Sequence, residues 1–134
     1  MSTAPLLSDA DLAPEAAEVF ADIRKTRGSD FVNNFWRALA NDPPLLRSVW
    51  TRLKEVLVDG RENGLDPLTR ELIYIAVSVA NGCEYCIHSH TAAARAKGMN
   101  ADQYADLLAI IAMASQTNAL VTALQVPVDR EFKV

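Results

Sequence analysis

Residues 67–98, PLTRELIYIAVSVANGCEYCIHSHTAAARAKG, hold an apolar helical segment, a two-residue break and a more polar helical segment. Pro67, after Asp66, suits a first helical position. Leu72, Ile75, Ala76 and Val79 then recur along one side, and Ile73, Val77 and Ala80 along a second. A helix apolar on two sides is expected to be buried on two sides. Asn81 and Gly82 readily take turn or left-handed conformations and interrupt it. A further helix begins at or just before Cys83 and ends at Gly98, with Arg95 and Lys97 in its last turn, where cations complement the helix dipole.

The pattern continues outward on both sides. Pro14 opens a segment running to Arg27, with Gly28 as its exit. Asp30 can cap the next, in which Phe31, Phe35 and Leu39 recur at i, i+4 and i+8. Asp42, followed by Pro43 and Pro44, starts a third, with Leu46, Trp50, Leu53 and Leu57 on one face and Gly60 at its end. Beyond the hairpin, Asn100 and Gln103 have capping-box spacing ahead of ADQYADLLAIIAMASQTNALVTALQ, which Pro127 stops. Leu107, Leu108, Ile110, Ile111 and Met113 cover most of this last helix, so it is either the central core helix or a subunit interface. No segment of useful length has the two-residue period of a strand. The expected fold is all-α, about six helices in a single domain over residues 1–134.

Bulk properties narrow the function. The chain has 134 residues, half of them apolar and 22% charged, with a net charge of −4 and a pI near 5.1. A chain of this size can bury roughly two-thirds of its unfolded surface, so disulfide stapling is unnecessary for folding. The basic residues are scattered, which argues against nucleic acid as a partner. No apolar run approaches the ~20 residues of a membrane span, and no Lys or Arg precedes Arg24 in a segment without a long apolar stretch. The expectation is a cytoplasmic protein without membrane contact.

Both cysteines and both histidines fall within Cys83–His90. On a helix, Cys83 and Cys86 are i, i+3 neighbours and Cys86 and His90 are i, i+4 neighbours, so the three share a face near the N-terminus. The two sulfurs lie where a disulfide is feasible, and the helix dipole favours thiolate, the nucleophilic form. His90 can take a proton from Cys86 or stabilise its thiolate. Glu71, twelve residues before Cys83, is the candidate to orient His90, although a hairpin folded at Asn81–Gly82 does not by itself place it beside the cysteines. A salt bridge, near Arg70 or to another subunit, would equally account for a carboxylate on an apolar helix. His88 lies off the shared face and reads as a surface or interface histidine, and Tyr85 as a packing residue. Cys83, Cys86 and His90, joined by His88 or Glu71, supply enough donors for zinc, but structural sites usually draw ligand pairs from separated segments, so no metal is expected.

Glu71, eleven intervening residues, Cys83-x-x-Cys86, three residues and His90 together resemble the core motif of the alkyl hydroperoxidase D-like proteins of the carboxymuconolactone decarboxylase superfamily. NNFWRALANDPPLLRSVWTRLKEVL is similar to that family's lead-in helices. The similarity covers roughly residues 30–100, within a family-like core of 30–125. The resemblance implies an all-α fold around a helical hairpin, assembly into trimers or hexamers, and reduction of organic hydroperoxides. In that family's scheme Cys86 is the peroxidatic thiol, activated through His90 and Glu71, and Cys83 resolves its sulfenic acid into a disulfide. The dipole alone would favour Cys83; the relay favours Cys86, and the relay is followed here. No bound cofactor is implied; the disulfide would be reduced by a dithiol donor such as a lipoyl carrier or thioredoxin-like protein. One position departs: Tyr85 stands where the best-known hydroperoxidases carry a relay histidine. A disulfide reductase or oxidant sensor using the same pair is the alternative, followed by a non-catalytic or metal-stabilised oligomer. A decarboxylase fits less well, because that branch lacks the cysteine pair.

Overall fold

Pro14 does open a helix, and Gly28, at φ +61°, closes it. In the computed structural model, which describes residues 1–133 and leaves the last residue of the expected domain, Val134, outside the description, the chain is all helical. It comprises α1 (Pro14–Arg27), α2 (Asn34–Leu39), α3 (Pro43–Leu53), α4 (Pro67–Ala80), α5 (Glu84–Ala96) and α6 (Ala101–Ala123). No strand occurs among the described residues. Two compact units can be distinguished along the chain, Met1–Asn63 and Gly64–Val134.

In the first unit, α1 turns Ala16, Val19, Phe20 and Ile23 inward against Val32, Trp36, Ala40, Leu46 and Trp50. The indoles of Trp36 and Trp50 meet edge to face at 5.4 Å. Each fully buried large side chain here contributes about 1.5–3 kcal/mol relative to exposure. Asp42 caps α3 by accepting the Leu45 N–H, and a π-helical turn, Lys54–Asp59, carries α3 on to Gly60. Leu46, Trp50 and Leu57 are buried as the spacing predicts.

The second segment is a correction. Its cap is Asn33 and not Asp30, and the stripe Phe31, Phe35, Leu39 is not the buried one. Phe31 is 70% exposed, while Val32, Trp36 and Ala40, the same spacing displaced by one residue, enter the core. Moving the helix start from 31 to 34 removes Phe31 from the helix, and the larger indole takes the interior place.

The second unit is the hairpin plus α6. Asp66 caps α4 through the Thr69 N–H, Gly82 turns the chain at φ +68°, and the Cys83 N–H donates to the Ser78 carbonyl at 2.9 Å. Glycine is needed at this corner because a side chain at positive φ costs about 1–2 kcal/mol. Ile75, Ala94 and Leu107 form a small core with Leu68, Leu72, Ala76, Met99, Tyr104 and Ile111 around it. Asn100 and Gln103 form the expected capping box.

Two expectations change in this unit. The second apolar stripe of α4 is not buried within the chain: Ile73 is 47% and Val77 53% exposed. Nor is α6 a central core helix, since only Leu107 of its residues is buried while Leu108, Ile110, Met113, Leu120 and Val121 face outward. By length and mean hydropathy alone, α6 is also long and apolar enough to cross a membrane, although no apolar run in the sequence approaches that length uninterrupted. Asp102, Gln103 and Asp106 in its first turns interrupt its apolar character.

Candidate functional site

The register of the hairpin brings the candidate groups together. Counting equal distances on either side of Gly82 sets Ser78 opposite Cys86, Tyr74 opposite His90, and Glu71 opposite Ala93, midway between His90 and Lys97. The contacts follow that count. The Tyr74 ring stacks on the His90 imidazole with centroids 3.7 Å apart. The two oxygens of Glu71 divide between His90 Nδ1 and Lys97 Nζ, each at 2.7 Å.

Glu71 is only 3% exposed, on the buried face of α4 with Ile75 and Ser78. A bare carboxylate there would be costly, and its two partners offset that cost. Burial pushes the Glu71 carboxyl up, but hydrogen bonds from His90 and Lys97, together with their charges, outweigh it and hold the group below its ordinary value of 4.5. An ionised carboxylate only accepts hydrogen bonds, so Nδ1–H of His90 donates to Glu71, and in the neutral ring the lone pair is then on Nε2. His90 is therefore set up as a base on the helix that carries Cys86, one turn further along.

Cys83 is the N-cap of α5, not its first helical residue, and Cys86 lies in the first turn. The two are joined as a disulfide, with Cα atoms 5.3 Å apart. The Cys86 N–H donates to Cys83 Sγ at 3.3 Å. Thus the helix N-terminus addresses Cys83, whereas the His90–Glu71 pair lies on the Cys86 side of the sequence, and the conflict visible in the spacing persists in the fold.

His88 is exposed, as its angle on the helix predicts. Tyr85 is 44% exposed. With Glu84 and Ser89, these two line an open depression on the outer side of α5. Among the described residues no group of three or more His, Cys, Asp or Glu side chains is arranged to hold a metal ion. Two members of the cluster escaped the sequence reading. Lys97 is expected from the sequence only as a dipole-complementing cation, and Tyr74 is not singled out there; the count across Gly82 is the signal that finds both.

The model of the carboxymuconolactone decarboxylase family matches residues 44–129, which include α4, the turn, α5 and α6. The chain belongs to the carboxymuconolactone decarboxylase family. Within it the chain is AhpD-like. The crystal structure of an alkylhydroperoxidase AhpD core from Rhodospirillum rubrum superposes with a TM-score of 0.95 at 63% identity, covering 100% of this chain and 98% of that one. The alkyl hydroperoxide reductase AhpD of Solibacter usitatus is 38% identical over 68 residues, and that of Mycobacteroides abscessus 41% over 64. These stretches are 51% and 46% of this chain but 37% of each relative, so the match spans little more than a third of the curated proteins' length.

Proposed function

We propose that the chain is a thiol peroxidase for organic hydroperoxides, with Cys86 as the attacking thiol, Cys83 as the resolving thiol, and His90 and Glu71 as the proton relay. The observation that carries this reading is the buried Glu71–His90 hydrogen bond on the hairpin that also holds the bonded Cys83–Cys86 pair. In the reduced protein, Nε2 of His90 accepts the Cys86 proton. The thiolate attacks the terminal oxygen of ROOH, the O–O bond breaks, and the departing alkoxide takes the proton back to leave as ROH. The sulfenic acid of Cys86 then condenses with the Cys83 thiol, releasing water and forming the disulfide. A dithiol donor, of the lipoyl-carrier or thioredoxin-like kind, returns two electrons and two protons by exchange. None of these steps uses a bound cofactor or metal.

The names of the relatives, both alkyl hydroperoxide reductases, support the same class of substrate. Assembly into a homo-oligomer, a trimer or hexamer, belongs to the proposal, supported by the apolar side chains that α4 and α6 leave exposed in the single chain. One observation favours a second reading, a disulfide exchange protein: the helix N-terminus donates to Cys83 Sγ, which suits Cys83 as the entering thiol.

Trapping distinguishes the two. Cys83→Ser protein treated with one equivalent of an organic hydroperoxide should accumulate a dimedone-reactive sulfenic acid on Cys86, seen by mass spectrometry of the tryptic peptide. Sulfenic acid forming instead on Cys83 of the Cys86→Ser protein, with none on Cys86 of the Cys83→Ser protein, reverses the roles.

A further inference from the structure

We propose that Lys97 is a positioning residue of this site: it neutralises Glu71 so that His90 remains available as a base. The inference rests on the peroxidase reading above and concerns how its relay is set. Glu71 has two buried carboxylate oxygens; one meets His90 Nδ1 and the other meets the Lys97 ammonium, each at 2.7 Å. Lys97 is the C-cap of α5, and its side chain remains 35% exposed. Its carbon stem therefore reaches inward from the rim to a carboxylate whose own side chain is 5% exposed.

The chemistry follows from counting charges. A neutral imidazole N–H hydrogen-bonds a carboxylate but does not balance its charge; Lys97 does. Without the ammonium, Glu71 has two ways to relieve an uncompensated buried charge. It can take up a proton itself, becoming a donor toward Nδ1 and moving the imidazole's lone pair away from Nε2. Alternatively, it can draw a proton onto His90 and hold it there as imidazolium. Either outcome removes the lone pair that accepts the Cys86 proton, and either is relieved only at higher pH.

From α5, His90 and Lys97 face the carboxylate; from α4, Tyr74 covers the imidazole. From α6, the titratable side chain packed into the hairpin core is Tyr104, with the Arg95 guanidinium over its ring. Lys97 is thus the cation in hydrogen-bond contact with Glu71.

The test reads thiol reactivity separately from peroxide chemistry. Reduced wild-type, Lys97→Met and Lys97→Arg proteins are alkylated with iodoacetamide across pH, the Cys86 peptide is quantified by mass spectrometry, and hydroperoxide-driven thiol loss is followed on the same samples. Lys97→Met should move the acid limb of Cys86 alkylation upward by about one pH unit while keeping its high-pH plateau. Lys97→Arg, which retains the charge, should restore the wild-type limb. An unmoved limb in Lys97→Met, or a lowered plateau that Arg fails to restore, overturns the proposal. If wild-type thiols survive hydroperoxide, the peroxidase reading fails, while the alkylation profiles still decide the role of Lys97.

Discussion

Glu71 is the residue on which the site turns, and its ionisation can be read from stability. Its folded-state value lies below the ordinary 4.5, so the folded protein binds fewer protons at this group than the unfolded chain does near that pH. Its contribution is therefore fully present above about 4.5 and is lost as pH falls through the lower folded-state value. Urea midpoints measured from neutrality to about pH 3 should show Glu71→Gln declining less steeply than wild type below that point. Equal slopes in the two proteins would contradict an ionised, paired Glu71. The sequence named Glu71, Cys83, Cys86 and His90 because their types and spacing imply chemistry. It did not bring Lys97 or Tyr74 into the site, because their places beside Glu71 and His90 come from the register across the hairpin rather than from spacing along one helix.

At the scale of elements, caps and stops were the most legible features. Pro14, Asp42, Asp66, the Asn100–Gln103 pair and the turn at Gly82 each act where local chemistry places them. Choice of face was harder. In α2, two overlapping stripes had the same period, and only packing against Trp50 selected Trp36 over Phe35. In α4, the buried line Glu71, Ile75 and Ser78 is more polar than the exposed line through Ile73 and Val77, because hydrogen bonding within the hairpin recruits the polar residues. Helix α6 shows the consequence of such unburied apolar area. Ile110 is 66% exposed in the single chain, so Ile110→Glu should leave the helical circular dichroism unchanged. Analytical ultracentrifugation should find wild-type protein as a trimer or hexamer and the Ile110→Glu variant shifted toward single chains. A wild-type protein that sediments as one chain would contradict the proposed assembly.

For the molecule as a whole, family membership rests on the family match over residues 44–129, and the all-α fold agrees along the entire chain with the Rhodospirillum rubrum AhpD core. The motif from Glu71 to His90 was enough to anticipate both. The electron donor was not legible, since exchange with a dithiol leaves no signature in a site of two cysteines, a histidine and a carboxylate. What the whole molecule does is most directly tested by counting free thiols against time after pre-reduced protein meets an excess of an organic hydroperoxide. The proposed function predicts rapid loss of both thiols, one hydroperoxide consumed per Cys83–Cys86 disulfide formed, and thiol recovery on adding a dithiol. Thiols that persist for hours beside undiminished hydroperoxide would contradict it.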